Sequence, residues 1–132
     1  MSDKLDVVGI GNAMVDAIIP SNQSEIEKHE INRDSMNLID ENLKNNLHES
    51  YSIREMAGGG SLGNSMFGIT SFGGNGSFIG KIKNDEIGVY LQKDMMREGL
   101  KFPLGFTSPD ISTGCCTIFV EEDGTRTMCT FL

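Results

Sequence analysis

At 132 residues the chain is one domain's worth at most, yet long enough to bury a core, and its 38% apolar and 23% charged content excludes a disordered polypeptide. Nineteen acidic residues against 11 basic ones give a net charge of −8, which argues against nucleic acid as a partner because phosphates would be repelled. No apolar run approaches the roughly 20 residues of a membrane span, so no membrane is expected either.

The opening MSDKLDVVGIG carries an early acid and only a short apolar run, unlike a signal peptide. Leu5–Gly11 is apolar, β-branched and ends in glycines, the pattern of a buried strand. Met14–Ile19 continues it, with Asp16 as its one charge before Pro20. Ser21–Glu30 reads as a short surface helix or loop and Met36–Ile39 as a short strand. Asp40 is a good N-cap for a helix bearing Leu43 and Leu47 at i, i+4. Tyr51–Ala57 is ambiguous, and Ser52–Met56 makes a poor buried strand. Ser61–Phe72 predicts a helix with Leu62, Met66 and Ile69 on one stripe, stopped by Gly73-Gly74. Ser77–Ile82 alternates like a strand. Asp85 caps an amphipathic helix with Ile87, Leu91 and Met95 in line and Gly99 at its end. A loop with Pro103 and Pro109 leads to two β-rich runs, Gly114–Val120 and Thr125–Leu132, joined by Glu121-Glu122-Asp123-Gly124, a hairpin signal. Alternating helix and strand in the middle suggest a parallel α/β sheet, and the strands at the two ends a separate small antiparallel patch. The chain stops inside a β-rich run, which reads as truncation.

Cys115, Cys116 and Cys129 are odd in number and form no CxxC, so reduced, packed thiols in a cytoplasmic protein are expected. His29 and His48 share no ligand spacing with a cysteine pair, so no metal site is expected, and both histidines read as surface residues.

Four features could carry chemistry, of which Lys81–Glu86 (KIKNDE) reads as a strand end followed by a helix cap rather than as a charged site rim. Ala57-Gly58-Gly59-Gly60-Ser61-Leu62-Gly63-Asn64-Ser65 opens a helix with four glycines in six positions. Glycine lets a ligand approach the backbone, and a helix start offers unpaired N–H groups. Gly58, Gly60 and Gly63 match G-x-G-x-x-G, so a dinucleotide-dependent oxidoreductase is one alternative, and a turn that only packs a helix closely on a sheet is another. Asn12 and Asp16, four apart on an extended segment, face the same way. A carboxylate that accepts from two hydroxyls beside an amide suits a polyol; an Asp at a solvent-facing edge is the plainer reading. Asn64 is either a local cap or, with Asp16 and the glycines, part of the same cradle.

Taken in order, DVVGIGNAMVD, AGGGSLGNS, FGGNGSFIGKIKNDEIG and TGCCTIFVEEDGTRTM resemble the N-terminal part of the ribokinase-like (PfkB-type) carbohydrate and nucleoside kinases, with Gly-Asn-x-x-x-Asp closest to the adenosine-kinase-like branch. The resemblance covers essentially the whole chain. It implies an α/β fold, the N-terminal part of a three-layer α/β/α core with a small β-sheet lid. Lid strands would lie at 12–19, 36–39 and 113–131, and core elements at 4–11 and 58–99. It also implies transfer of the γ-phosphoryl of ATP, with Mg²⁺, to a hydroxymethyl group of an adenosine-like nucleoside or a ribose-type sugar. Asp16 would hold sugar hydroxyls with Asn12 beside it. Gly59 and Gly60 would form the close-approach hinge, and Ser61 and Asn64 would contact the sugar. A homodimer paired through the β lid, and a non-catalytic sugar-binding or β-pairing module, are the further readings. Against the family pattern, Leu62 stands where a small residue is usual, Met66 where Ser, Thr or Ala is, and Lys83 where Gly is. Family members are more than twice as long. Their catalytic Asp, in a Gly-Ala-Gly-Asp-like motif, and most nucleotide contacts would lie beyond Leu132. The fragment alone is therefore expected to be inactive and to leave an open sheet edge.

Overall fold

The computed structural model describes residues 3–132; Met1 and Ser2, with which the expected domain and the opening segment read above begin, lie outside them. In chain order the elements are β1 (Val7–Ile10), β2 (Met14–Pro20), α1 (Gln23–Glu27), β3 (Met36–Leu38), α2 (Glu41–Ser50), β4 (Glu55–Gly59), α3 (Ser61–Ser71), β5 (Gly76–Ile79), α4 (Glu86–Arg97), β6 (Gly114–Val120) and β7 (Arg126–Phe131). No helix among the described residues is long and apolar enough to cross a membrane. The chain divides into two compact units. One runs up to Val15 and resumes over Ala57–Gly114; the other holds Asp16–Met56 and Cys115–Leu132. Each of the three crossings between them falls inside a strand, β2, β4 or β6.

In the first unit β1 and β5 pair in parallel, from Val7 opposite Gly76 to Ile10 opposite Ile79. The chain leaving α4 adds to the other side of β5, where Phe78 N donates to Lys101 O at 2.8 Å and Lys101 N to Gly76 O at 3.0 Å. Helix α3 packs on β1 and β5. The two bulky residues that depart from the family pattern explain how. A Cβ on Gly9 would lie 2.9 Å from Met66 Sδ, and one on Gly11 2.6 Å from Leu62 Cδ2. Small residues on the strand therefore accommodate large ones on the helix. Met66, Phe78, Ile82, Leu91, Met95 and Leu100 are buried there, whereas Val8 and Ile10 are exposed. Asp85 caps α4 as the sequence predicts: its carboxylate accepts from Gly88 N at 2.7 Å, and also from Thr113 N at 2.9 Å.

The second unit is built on a five-stranded sheet of order β3-β7-β6-β2-β4. The hairpin forms as expected, with β6 and β7 antiparallel from Val120 opposite Arg126 to Cys115 opposite Phe131. The sheet is not wholly antiparallel, however. Strand β3 lies parallel to β7, because α2, β4, α3, β5, α4 and β6 intervene in the chain and no tight turn links the two. Strand β4 resolves the segment that the sequence leaves ambiguous. Glu55–Gly59 is a strand whose half-buried positions are Met56 and Gly58. With one apolar side chain on that face, it carries little sequence signal. The unit's core is Ile19, Ile26, Leu47, Phe119 and Cys129, with Leu43, Tyr51 and Ile53 packed around it. Asp40 caps α2 by accepting from Leu43 N at 2.8 Å.

Candidate acceptor site

The turn from β4 into α3 belongs to the first unit and is shaped by glycines. Gly60 takes φ +81° and ψ 151°, a backbone region essentially restricted to glycine. A Cβ there would stand 3.0 Å from Met14 Cγ and 3.6 Å from the Asn12 carbonyl oxygen. Asn64 N donates to Gly60 O at 2.9 Å and closes the first turn of α3. Gly59, the last residue of β4, is buried, while Asn12, Ser61 and Asn64 are exposed. Helix α3 begins without a side-chain cap, so its leading N–H groups have no local side-chain acceptor. Among the described residues the side chains of Asn12, Ser61 and Asn64 make no hydrogen bond. The structure thus gathers Asn12, Gly59, Gly60, Ser61 and Asn64 around one turn.

Asp16 belongs to the second unit. Burial alternates along β2: Val15, Ala17 and Ile19 are buried, and Met14, Asp16 and Ile18 are half-buried. Asp16 therefore sits on the open face of the strand rather than in the core. Among the described residues its carboxylate has no hydrogen bond or ion pair, and burial pushes its pKa above the ordinary carboxylate value. Its charge in turn helps hold up the thiol of Cys116, whose main upward push is its own burial.

Three placements escaped the sequence. Both histidines are half-buried and engaged rather than free on the surface. His29 Nε2 lies 2.8 Å from the Tyr51 hydroxyl, its ring stacked near Phe119, and His48 Nε2 lies 2.8 Å from Thr117 Oγ1. Lys44 is buried with its ammonium 5.0 Å from the centre of the Phe131 ring, a cation–π arrangement. Asp94, buried in the last turn of α4, accepts from Gly58 N at 3.0 Å and pairs with Arg97. The signal for Asp94 was its position. It lies three residues after Leu91 and seven after Ile87, so an acid sits on the apolar stripe of an amphipathic helix.

The described residues 4–132 match the family model of the pfkB family carbohydrate kinases. The chain belongs to that family. Among solved structures it is similar to the adenosine kinase from Sinorhizobium meliloti, at 36% identity and a TM-score of 0.84, over 98% of this chain and 39% of that one. It is also similar to a probable sugar kinase protein from Rhizobium etli CFN 42, at 33% identity and a TM-score of 0.80, over 97% of this chain and 39% of that one. Adenosine kinase from Anopheles gambiae, solved with P1,P4-di(adenosine-5) tetraphosphate, shares the fold at 23% identity and a TM-score of 0.81, over 96% of this chain and 38% of that one. No curated protein sequence matches the chain. This pfkB-family chain thus has the ribokinase-like α/β fold and spans about two-fifths of the length of those solved relatives.

Proposed function

We propose that this chain carries the acceptor-binding part of a kinase that transfers the γ-phosphoryl of ATP to a hydroxymethyl group of an adenosine-like nucleoside or a ribose-type sugar. The second unit serves as the lid and the first as the N-terminal part of the core. The observation that carries the reading is the Asp16 carboxylate, half-buried, raised in pKa by that burial and without an intramolecular partner among the described residues. A carboxylate held this way is costly unless something else completes it, and a pair of sugar hydroxyls does so by donating to its two oxygens. Asn12, Ser61 and Asn64 supply the uncommitted amides and hydroxyl that orient the rest of a polyol. Gly59 and Gly60 form the turn that carries Ser61 and Asn64 to it.

ATP and Mg²⁺ belong to the proposal through the family alone. No group of three or more His, Cys, Asp or Glu side chains among the described residues is placed to hold a metal ion. The same reading places the protein in the cytoplasm. It includes a homodimer paired through the lid, where edge strand β3 leaves Met36 and Leu38 exposed.

Calorimetric titration of the chain with adenosine and with ribose tests the proposal. We expect saturable binding of one of them, and D16A to weaken it at least tenfold, the loss of a charged hydrogen-bond acceptor. Binding by D16A at the wild-type affinity would remove Asp16 from the site.

A further inference from the structure

We propose that Asp94 is a positioning residue for the acceptor turn, acting through the backbone amide of Gly58. The inference rests on the acceptor reading above and concerns how that turn is held.

The glycine run 58–60 has more backbone freedom to lose than any other three residues could have. Little in the run itself restrains it. Helix α3 has no side-chain cap at Gly60. Strand β4 is the last strand of its sheet, so it has a strand neighbour on one side only. A backbone N–H beside the core but outside the ladder needs an acceptor. Asp94 Oδ2 is that acceptor, 3.0 Å from Gly58 N.

The arrangement is built for this contact. Asp94 is 7% exposed, in the last turn of α4, where an acid opposes the helix dipole and a buried carboxylate is expensive without partners. Its two oxygens are divided between two donors: Oδ2 takes the Gly58 amide and Oδ1 the Arg97 guanidinium. The room for the carboxylate exists because position 58 is glycine. A Cβ there would lie 2.7 Å from the Phe67 ring and 2.9 Å from Asp94 Oδ2. A charged acceptor, a donor amide and an aromatic wall thus meet at one point. That point lies two residues before Gly60 and three before Ser61. Phe67 belongs to α3, so the same contact couples the end of β4 to the helix that follows it.

Three variants of the chain separate this role from general stability. D94A removes the acceptor, D94N keeps an oxygen for the Gly58 amide without the charge, and R97A removes the second donor together with the exposed Arg97–Glu98 pair. Each is titrated with adenosine and ribose, and hydrogen exchange at the Gly58, Gly59 and Gly60 amides is followed by NMR. The expected result is a loss of about tenfold in acceptor affinity for D94A, the scale of one charge-assisted hydrogen bond. Exchange at Gly58 should accelerate by a similar factor. D94N should recover most of the affinity, and R97A should bind within about threefold of wild type. Unchanged affinity in D94A, beside a clear loss in D16A, overturns the role of Asp94 and leaves the acceptor reading standing. An R97A loss equal to that of D94A also overturns it, because the ion pair rather than the amide contact would then be responsible. No binding of either ligand by the wild-type chain overturns the acceptor reading and this proposal together.

Discussion

Replacing Gly60 with alanine tests the geometry of the turn directly. At φ +81° and ψ 151° a residue with a Cβ is strained by about 2 kcal/mol. The new methyl would also stand 3.0 Å from Met14 Cγ and 3.2 Å from its sulfur, a contact that a flexible side chain relieves at small cost. Gly68, in the middle of α3, is the control: a Cβ there meets nothing within 4 Å. G68A should therefore gain about 0.5–1 kcal/mol from helix propensity. The two substitutions are chemically identical and eight residues apart, yet they should differ by about 3 kcal/mol and in sign. For a chain of this size that gap is about 10 °C in Tm. Thermal and urea unfolding followed by circular dichroism would measure it, with a constant m-value showing that the unfolded state is shared. G60A as stable as G68A would mean that Gly60 does not hold a glycine-only conformation, and the shape argued for the turn would be wrong.

Two further outcomes follow from the same structure. Burial raises the Asp16 pKa above 3.8, so the native state keeps its proton to higher pH than the unfolded chain does, and stability falls as pH rises through that window. D16N removes the effect: its Tm should exceed wild type at neutral pH and converge with it below about pH 4, while its acceptor binding falls; a Tm gain that persists at low pH would assign the effect to something other than charge. G11A should destabilise by about 1–3 kcal/mol, because the new Cβ would lie 2.6 Å from Leu62 Cδ2. A double-mutant cycle with L62A should show a coupling above about 0.5 kcal/mol, and simple additivity would show that the two residues do not share that space.

Much of the architecture was legible because local chemistry and burial agreed. Asp40 and Asp85 each precede an apolar stripe and each accepts from the third amide of its helix. The Asp-Gly between two β-rich runs marked the β6–β7 hairpin. Where the two kinds of information separate, the sequence goes quiet. Beside its pairing with β2, strand β4 is held through the amide of Gly58 and the acid of Asp94, 36 residues later, and no hydrophobic period records that bond. The parallel pairing of β3 with β7 likewise joins segments about 90 residues apart. His29 and His48 looked like surface residues because polar neighbours surround them in the chain, whereas their partners, Tyr51 and Thr117, come from elsewhere in the fold. In the candidate site, the glycines and Asp16 stood out by type. The absence of any intramolecular partner for Asp16 among the described residues is a property of the fold alone.

The three cysteines all lie in β6 and β7, and each is buried. Burial drives the Cys115 thiol up to about 12 and that of Cys129 up to about 11, so neither offers a thiolate at neutral pH while the hairpin is closed. An alkylating reagent can reach them only when these strands part. The first unit contributes no thiol at all. The chain therefore carries its own clock: the rate at which the Cys115 and Cys129 thiols disappear counts openings of the hairpin, against a silent background from the unit that holds the glycine turn.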